Sequence, residues 1–455
     1  MNIYKISKYI EILNDLGLES ENDIVLIFSL KTGKMLSLKK EHYHNLIDNK
    51  IKNIPLDVIH SLVESKVLVY KEINELYECL DENDLMINDL RQLNFIIQPS
   101  ANCQLGCSYC GQTHSNKKMS IRLMDKILTR MKYLMSLKEN DFYKEISITW
   151  YGAEPLMGKN EIIEFSNKLI NFSGLHSLEY SANIITNGVL LKEDYLEELI
   201  LKAQIYRYQI TLDGLKETHD SRRPTKGGKG SYDVILKNIK KATENEVFLK
   251  NNCKILIRVN IDKNNYKDSS RFIKSISDLK IQKYVSVNFA PIVDWGGNGA
   301  SKESLKKSDF ADLEIDWFLE ALEHDFDIPE MLPNRGPACM IVNPASEVYD
   351  AYGYVTPCYE MNYTKAYENS NHIIGNLNKS EEFNYDSPLR KWHDMLKDNK
   401  YQCTTCKYLP VCGGSCPKDW FKGEFTCPTL KYNLKDKMLL KFLSKKGKLK
   451  ELVKS

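Results

Sequence analysis

The sequence predicts an α/β fold, with a parallel sheet, open or partly closed into a barrel, between a small N-terminal unit and a loop-rich C-terminal region. Three observations support this prediction. Strand-like and helix-like segments alternate from about residue 92 to 292, as they do in parallel sheets. A short hairpin-and-helix pattern precedes them. Beyond about residue 330 regular periodicity fades, while Cys, Gly, Pro and Asn become more frequent.

Composition narrows the class of protein. The chain has 455 residues, and its 63 basic and 61 acidic side chains leave a formal charge of +2, which argues against a strongly basic nucleic-acid binder. No apolar run approaches the roughly 18–20 residues that a membrane span needs, and the N-terminus lacks the apolar core of a signal peptide. We therefore expect a cytoplasmic protein with reduced thiols and with no nucleic-acid or membrane partner.

Residues 1–90 look like a small independent unit. The predicted elements are a hairpin of 25–29 and 34–38, helices over 41–48 and 55–65, and a short strand at 67–70. Pro55 suits the first turn of the second helix, because that position needs no backbone donor. The acidic stretch 78–89 is interpreted as a linker to the next domain.

Six strand–helix units make up the predicted core of residues 91–325. The strands are expected at 93–98, 145–150, 180–186, 208–212, 254–261 and 284–290. A helix is expected over 121–137, because Leu123, Ile127, Met131 and Leu134 recur on one face. In such folds the chemistry sits at the carboxyl ends of the strands, where the unusual motifs of this chain also lie.

The 12 cysteines fall into two groups and two isolated residues. Cys79 and Cys253 stand alone, and each is interpreted as a small buried apolar side chain. The first group is the triplet Cys103, Cys107 and Cys110. The second group comprises Cys339, Cys358, Cys403, Cys406, Cys412, Cys416 and Cys427. In a reduced compartment, such grouping indicates metal ligands before disulfides.

The triplet has the spacing Cys-x3-Cys-x2-Cys, with the aromatic Tyr109 before its last cysteine. Three ligands on one loop do not match a structural zinc site, which usually has four, but they can hold three irons of a cubane cluster and leave the fourth iron open. This segment resembles the signature of the radical S-adenosylmethionine (SAM) superfamily. The resemblance implies a partial (β/α)6 TIM-like barrel and a [4Fe–4S] cluster that binds SAM and cleaves it to a 5′-deoxyadenosyl radical.

Further motifs follow the later strands. Tyr151-Gly152-Ala153-Glu154-Pro155 resembles the family's Gly-Gly-Glu-Pro segment, with Ala153 in place of the second glycine. The resemblance implies SAM contacts from Tyr109, Gly152, Ala153, Glu154, Thr211 and Arg223. Among these, Glu154 would accept a hydrogen bond from the SAM ammonium, and Arg223 would pair with the SAM carboxylate.

The second group resembles the seven-cysteine pattern of the SPASM domain, an auxiliary iron–sulfur extension of many peptide-modifying radical SAM enzymes. Two zinc sites are the alternative, because zinc also uses Cys-x2-Cys pairs. The resemblance implies a closed auxiliary [4Fe–4S] cluster on Cys403, Cys406, Cys412 and Cys427. It also implies a second auxiliary cluster on Cys339, Cys358 and Cys416, which lacks a fourth protein ligand. Together with the SAM cluster, this makes three clusters.

The order of elements in residues 1–90 resembles the winged-helix-like recognition element of enzymes that modify ribosomally made peptides. Such modules bind a precursor leader as an added strand at a sheet edge. The expected domains are then this module (1–90), the radical SAM core (91–325), the SPASM domain (326–436) and a Lys-rich tail (437–455), interpreted as a solvated helix. The expected partners are a precursor peptide and an electron donor such as flavodoxin or ferredoxin.

The expected function is crosslinking of a precursor peptide through a thioether or a carbon–carbon bond. The thioether is favoured, because a substrate cysteine could bind the iron that lacks a ligand. One alternative is an anaerobic sulfatase maturase, which forms formylglycine. That family typically has an Asp base directly after the second SPASM cysteine, where this chain has Tyr359. The other alternative is a non-catalytic, cluster-bearing peptide adaptor. The general base is unknown, and Glu360, Asp294 and Tyr359 are only nearby polar candidates.

Overall fold

The computed structural model describes residues 3–18, 21–88, 91–139, 141–327, 331–333, 339–379, 383–398, 400–424 and 427–447. Their strands are β1 (Tyr4–Ile6), β2 (Ile10–Leu13), β3 (Ile24–Ser29), β4 (Met35–Lys39), β5 (Leu68–Tyr70), β6 (Gln92–Ile97), β7 (Glu145–Trp150), β8 (Glu179–Thr186), β9 (Ile205–Thr211), β10 (Lys254–Ile261), β11 (Val285–Pro291), β12 (Ser346–Tyr349), β13 (Tyr354–Thr356) and β14 (Gly375–Asn376). Their α-helices are α1 (Lys40–Ile47), α2 (Leu56–Glu64), α3 (Glu75–Asn88), α4 (Ile121–Ser136), α5 (Lys159–Leu175), α6 (Glu193–Ala203), α7 (Lys216–Arg222), α8 (Tyr232–Glu244), α9 (Glu246–Lys250), α10 (Ser269–Ser277), α11 (Lys307–Glu323), α12 (Trp392–Lys397), α13 (Leu409–Cys412), α14 (Pro417–Phe421) and α15 (Leu430–Lys445).

A nine-stranded sheet forms the centre of the molecule. Its order is β11-β10-β9-β8-β7-β6-β12-β13-β14, and β6 to β11 pair in chain order, each parallel to the next. These are the six strands that the sequence predicts, and the α/β class with a mostly parallel sheet is confirmed. Because all six run the same way, their carboxyl ends meet at one edge of the sheet.

The alternation of side chains between the two faces of the sheet explains why these segments form strands. In β7, Ile146, Ile148 and Trp150 are buried in the main core, whereas Thr149 points to the opposite side and lines a cavity of about 610 Å³. The predicted helix α4 packs against the same core through Leu123, Ile127, Met131 and Leu134. It begins at Ser120, whose side chain accepts a hydrogen bond from the backbone N–H of Leu123.

Three short strands that sequence analysis missed extend the sheet beyond β6. β12 pairs with β6 in parallel, with Ser346 opposite Asn94, and β13 and β14 continue in antiparallel pairing. This pairing brings the C-terminal region, which carries the second group of cysteines, beside the first core strand.

The N-terminal elements agree only in part with those predicted from the sequence. The predicted hairpin forms as β3 and β4, and the two predicted helices form as α1 and α2, with Pro55 directly before α2. Two further strands, β1 and β2, were missed; they pair with β5 and β3. The interpretation of 78–88 as a linker was wrong, because this stretch lies in α3, which buries Cys79, Leu80 and Ile87. Residue 89 lies outside the described residues.

The N-terminal and C-terminal regions share one hydrophobic cluster. It includes Tyr9, Phe28 and Cys79 from the first 88 residues and Trp392 and Met438 from the last quarter of the chain. The expectation of a small unit with its own separate core is therefore only partly met. A second, smaller cluster does lie wholly within residues 10–68.

The C-terminal helix α15 also differs from expectation. It is not a solvated helix, because Leu434, Met438 and Leu443 are buried in the shared cluster. Even Lys437 is buried, with its Nζ 2.8 Å from the Glu314 carboxylate. The last eight residues of the tail, 448–455, lie outside the described residues. Among the helices that are described, none has both the length and the apolar character to cross a membrane.

Candidate functional site

A cavity of about 610 Å³ opens at the carboxyl edge of the central sheet. Inward-facing side chains of successive strands form its floor: Ile96 of β6, Thr149 of β7, Asn183 of β8, Gln209 and Thr211 of β9, and Arg258 and Asn260 of β10. Cys103, Cys107 and Cys110 all line the same cavity. The structure thus brings the three predicted ligands of the SAM cluster together at this cavity.

Backbone hydrogen bonds hold the cysteine loop against the segment that follows α7. The N–H of Gly106 donates to the carbonyl of Pro224 at 2.8 Å, and the N–H of Lys226 donates to the carbonyl of Gln104 at 2.9 Å. The Ser108 N–H donates to the carbonyl of Arg222 at 2.9 Å. The loop shape is therefore set by tertiary contacts rather than by its own sequence alone.

Later parts of the chain hold the far end of the same loop. The Asn298 amide donates to the Tyr109 carbonyl at 2.7 Å, and the Thr113 N–H donates to the Tyr363 carbonyl at 2.6 Å. Gly111 lies so close to Trp295 that a Cβ at this position would be 2.3 Å from the Trp295 carbonyl oxygen. Only glycine can occupy this position without displacing the neighbouring backbone.

The three thiols have different surroundings. Cys103 is buried, and the Asn187 amide lies 3.7 Å from its sulfur. Burial, with a smaller contribution from the Glu154 carboxylate, raises the pKa of the Cys103 thiol to about 12. Cys110 is exposed at the rim of the cavity. Because a metal ligand must be a thiolate, binding of iron at Cys103 has to displace a firmly held proton.

Tyr109 and Arg223 form one buried network beside the cysteines. The Tyr109 hydroxyl donates to Asp213 at 2.5 Å and accepts from Nη1 of Arg223 at 2.5 Å. The Asn260 amide also donates to this hydroxyl, at 3.1 Å. The Nε of Arg223 is buried and has no hydrogen-bond partner among the described residues. A buried guanidinium nitrogen beside a cavity suits an anionic ligand such as a carboxylate.

The Gly152-Ala153-Glu154 turn lies beside the triplet, but its carboxylate does not face the cavity. Ala153 lines the cavity, whereas Glu154 is fully buried behind it. The Glu154 carboxylate accepts hydrogen bonds from the hydroxyl of Thr186 at 2.6 Å and from the backbone N–H groups of Asn187 at 2.7 Å and Leu156 at 2.9 Å. The structure therefore does not place Glu154 where it could accept a hydrogen bond from a ligand in the cavity. Instead, it ties the ends of β7 and β8 together.

Several polar residues of the cavity were not predicted as site residues. Among them are Gln112, Asn187, Arg258 and Asn260. Asn187 follows β8 in a Thr-Asn-Gly turn, which is a usable signal because polar turns at strand ends line such sites. Arg258 lies inside β10, where alternation alone could not show which face is polar. Its Nε donates to the Asn260 side-chain oxygen at 2.9 Å.

An aromatic wall of Tyr151, Trp295 and Tyr359 closes the side of the cavity nearest the C-terminal region. The rings of Tyr151 and Tyr359 are 5.3 Å apart, and burial holds the pKa of both hydroxyls above the usual range. Glu360 also lines the cavity, whereas Asp294 does not. The Asp294 carboxylate instead accepts from the backbone N–H groups of Gly297 at 2.7 Å and Asn298 at 2.9 Å.

Four cysteines of the C-terminal group surround a separate cavity of about 310 Å³: Cys403, Cys406, Cys412 and Cys427. These are the residues expected to form a closed set. Burial, and to a smaller extent the neighbouring thiols of the set, raise the pKa of Cys403 to about 12 and that of Cys412 to about 11. Four thiols around one cavity are a donor set that suits iron–sulfur ligation.

The other three cysteines, Cys339, Cys358 and Cys416, do not share one cavity. Cys339 lies with Cys412 at a small space of about 40 Å³ next to Trp392. Cys358 is buried beside the aromatic wall, and Cys416 directly precedes α14. In the part of the chain that the structure describes, no three His, Cys, Asp or Glu side chains converge on a single metal ion.

Comparisons with known proteins agree with this architecture. A family model described as the radical SAM superfamily matches residues 97–268. The cysteine-type anaerobic sulfatase-maturating enzyme of Clostridium novyi (strain NT) is 27% identical over 367 residues, which cover 72% of this chain and 89% of that enzyme. The serine-type anaerobic sulfatase-maturating enzyme of Bacteroides thetaiotaomicron is 23% identical over 378 residues, or 73% of this chain and 84% of that enzyme.

Solved structures show the same fold. Native anSMEcpe with bound AdoMet aligns with 79% of this chain and 99% of its own, with a TM-score of 0.55 and 18% identity. A further structure of anSMEcpe contains AdoMet and the Kp18Cys peptide and aligns with 80% of this chain and 99% of its own, with a TM-score of 0.53 and 18% identity. The chain therefore contains a radical SAM domain, as the motifs between Cys103 and Arg223 predict.

Proposed function

We propose that this enzyme binds SAM in the 610 Å³ cavity and uses it to crosslink a ribosomally made precursor peptide. The observation that carries the proposal is that Cys103, Cys107 and Cys110 line the same cavity as the buried cation Arg223. A thiolate triplet suits three irons of a [4Fe–4S] cluster, and a buried guanidinium suits the carboxylate of SAM. When bound, this pair of cofactors supplies a 5′-deoxyadenosyl radical that abstracts a hydrogen atom.

The surrounding residues have distinct roles in this proposal. Nε of Arg223 would donate to the SAM carboxylate, while Tyr109 and Asp213 keep the guanidinium in place. Thr211 and the backbone at Ala153 would contact the polar groups of SAM. Glu154 acts as a positioning residue, because its hydrogen bonds fix the turn that carries Ala153. Tyr151, Trp295 and Tyr359 would keep water from the reacting carbon.

The C-terminal cysteines would hold two auxiliary [4Fe–4S] clusters, for a total of three. Cys403, Cys406, Cys412 and Cys427 would close one of them, which their common cavity supports. Cys339, Cys358 and Cys416 would hold the other. An electron donor such as flavodoxin or ferredoxin would reduce the enzyme, because SAM cleavage consumes one electron.

The N-terminal elements would bind the leader of the precursor. β4 is the outer strand of the sheet β2-β3-β4, and among the described residues no strand pairs with its free edge. An extended leader could add there, beside α1, which follows β4 directly. The peptide in one anSMEcpe structure supports a peptide as the substrate class.

Formylglycine formation is a second candidate function. Two of the curated relatives are sulfatase-maturating enzymes, and Glu360 supplies a carboxylate at the cavity. Against it stands Tyr359, which occupies the position of that family's expected Asp base. A tyrosine hydroxyl whose pKa is held above its usual range by burial is a poor base near neutral pH.

Mass spectrometry of reaction products separates these functions. The reconstituted enzyme is incubated with SAM, a reductant and either a sulfatase-derived cysteine peptide or a short peptide encoded beside the gene. Crosslinking removes two hydrogens and retains sulfur, whereas formylglycine formation from cysteine removes the sulfur. Loss of sulfur from the sulfatase peptide, with the encoded peptide left unchanged, would overturn the crosslinking proposal.

A parallel assay distinguishes an enzyme from an adaptor. Wild-type protein should produce 5′-deoxyadenosine from SAM, and Cys107→Ala should abolish this product because the triplet loses a ligand. Cys253→Ala is the matched control, since Cys253 is a buried cysteine in the main core away from both cysteine groups. If the wild type produced no 5′-deoxyadenosine, the chain would act as an adaptor.

A further inference from the structure

The floor of the 610 Å³ cavity carries a second guanidinium, that of Arg258 in β10. Ile257 and Val259 are buried in the main core, whereas Arg258 and Asn260 lie on the opposite face of the strand and line the cavity. The backbone of Arg258 is fixed by parallel pairing, with Thr211 of β9 opposite it. Because side chains alternate along a strand, this register directs Arg258 to the ligand space rather than to the core.

This guanidinium has no counter-charge within the described part of the chain. Its Nε donates to the Asn260 side-chain oxygen at 2.9 Å, and it makes neither a second side-chain hydrogen bond nor an ion pair with any described residue. Arg130 and Arg222, by contrast, each form an ion pair with a buried carboxylate. A guanidinium stays charged at any physiological pH, so the donors of Arg258 that face the cavity call for an anionic ligand.

The cavity itself offers no carboxylate that is free to pair with Arg258. Among the described residues that line it, Glu360 alone carries a carboxylate, and the Nζ of Lys418 lies 2.5 Å from that group. The neighbouring side chains of the floor are polar but neutral: Thr149, Asn183 and Gln209. The anion that pairs with Arg258 must therefore enter the cavity as part of a ligand.

A single hydrogen-bond network holds the two guanidinium groups of the cavity. The Asn260 oxygen accepts from Arg258, while the Asn260 amide donates at 3.1 Å to the Tyr109 hydroxyl, which also accepts from Arg223. In the proposed function Arg223 pairs with the SAM carboxylate, and SAM has only one carboxylate. The second guanidinium thus needs a second anion, which the other reactant has to supply. A planar guanidinium matches a carboxylate better than it matches other common anionic groups of a peptide.

We propose that Arg258 binds a carboxylate of the substrate peptide and thereby selects peptides that carry an acidic group close to the modified residue. This proposal rests on the proposed function, because it assumes that a peptide and SAM occupy the cavity together. The carboxylate belongs either to an Asp or Glu side chain or to the C-terminus of the peptide, since both present the same group. Arg258 is a binding and specificity residue, and no bond forms or breaks at it.

The first test separates peptide binding from SAM binding in the reconstituted full-length protein. The probe is whichever peptide the wild type modifies in the mass spectrometry assay, the encoded peptide or the sulfatase-derived cysteine peptide. Arg258→Gln should raise the KM for this peptide at least about tenfold and change the SAM dissociation constant by less than about twofold. Arg122→Gln is the matched control, because its guanidinium is exposed on α4, and it should change neither value. Weaker SAM binding by Arg258→Gln with an unchanged peptide KM would overturn the proposal.

Variants of the peptide identify the source of the carboxylate and leave the fold of the protein untouched. In turn, each acidic residue of the peptide is replaced by its amide, and the C-terminus is amidated. One of these peptides should have a KM at least about tenfold higher on the wild type and an unchanged KM on Arg258→Gln, because the two changes remove the same contact. Equal KM values of all the peptides on the wild type would overturn the proposal alone. Failure of the wild type to modify either parent peptide would instead refute the proposed function on which it rests.

Discussion

At the scale of single residues, the turn at Gly152 and Ala153 shows how backbone shape determines the site. Both residues have left-handed backbone conformations, with φ of 89° and 48°. A Cβ at Gly152 would lie 2.5 Å from the Gln98 side chain, whereas Ala153 already tolerates its own Cβ. The two positions therefore differ in whether they can accept a Cβ atom, although both belong to one short motif.

This difference leads to a prediction. Gly152→Ala should reduce SAM binding and 5′-deoxyadenosine formation at least tenfold, because the turn must move away from Gln98. Ala153→Gly is the control and should keep more than half of the activity, since glycine adopts the same φ without strain. Isothermal titration with SAM and product chromatography measure both. Equal activity of the two variants would contradict the role of this close contact.

His219 gives a prediction for pH dependence. Burial first, and then the nearby Arg223 cation, lower its pKa from 6.5 to about 4, so the ring stays neutral in the folded protein. Its Nδ1 accepts a hydrogen bond from the Asp213 backbone N–H at 3.1 Å. Because the unfolded chain takes up a proton below pH 6.5 and the folded chain does not until about pH 4, this residue makes stability fall as the pH falls between these values.

Between pH 7 and pH 5 the wild type should therefore lose about 2 kcal/mol more unfolding free energy than His219→Gln. Urea titrations at the two pH values measure this difference. The comparison is between variants because Asp350, whose pKa burial raises to about 6, makes an opposite contribution in both proteins. Parallel losses in the wild type and the variant would show that His219 does not titrate as described.

Sequence analysis located the cysteine triplet, Tyr109, Ala153, Thr211 and Arg223, which line the 610 Å³ cavity, and the four cysteines that surround the 310 Å³ cavity. It could do so because these residues sit in short motifs with fixed spacing. It did not show that the Glu154 carboxylate bonds to Thr186, Asn187 and Leu156, since a motif names a carboxylate but does not show which way it faces. Glu360 stood only among the nearby polar candidates, because its ion-pair partner Lys418 comes from a separate segment of the chain.

At the scale of elements, a buried ion pair fastens helix α4 to strand β12. Nε of Arg130 donates to Glu347 at 3.0 Å, and both side chains are almost fully buried. The Tyr349 hydroxyl also donates to Glu347, at 2.8 Å. The pair thus joins the radical SAM core to the C-terminal region that carries most of the cysteines.

Removal of one partner of this ion pair should lower the unfolding free energy much more than removal of both partners. Arg130→Met should lower the unfolding free energy by about 3–5 kcal/mol, because it leaves a buried carboxylate without its cation. Arg130→Met/Glu347→Leu should recover most of this loss. Chemical denaturation of both single variants and the double variant forms a complete cycle. Strictly additive losses would show that the two side chains do not interact energetically.

Elements with strong periodicity were predictable, and short ones were not. The six core strands follow from alternation with helices, whereas β12, β13 and β14 have only two to four residues each and lie among Gly, Asn and Cys. Helix α3 was interpreted as a linker because of its acidic residues, although Leu76, Cys79, Leu80 and Ile87 recur at helical spacing. The interpretation relied on the acidic residues of this stretch, whereas the spacing of its apolar residues correctly indicates a helix.

At the scale of the whole molecule, the shared hydrophobic cluster makes the two ends of the chain depend on each other. Residues of β3 and residues of α15 contribute to the same cluster, and the Tyr408 hydroxyl donates to the Glu11 carboxylate at 2.8 Å. Lys446 adds a contact to Glu21, with its Nζ 2.6 Å away. A leader bound at the N-terminal sheet would therefore be attached to the region with the auxiliary cysteines.

We expect β3 and α15 to unfold together. In urea, hydrogen exchange measured by mass spectrometry should show peptides from 24–29 and 430–445 losing protection at the same concentration, because each needs the other to bury its apolar face. Peptides from α2, which packs in the smaller N-terminal cluster, provide the comparison. Loss of protection in 24–29 at a clearly lower urea concentration than in 430–445 would contradict a common core.

The contacts around the cysteine loop also bear on when iron can be inserted during synthesis of the protein. Cys103, Cys107 and Cys110 leave the ribosome early, but their loop is held by Trp295, Asn298 and Tyr363. A nascent chain that has not yet reached residue 363 lacks these supports and presents three unrestrained thiols. Cluster delivery to this loop should therefore follow translation of most of the chain, and the cell would need to protect the emerging thiols from other metals until then.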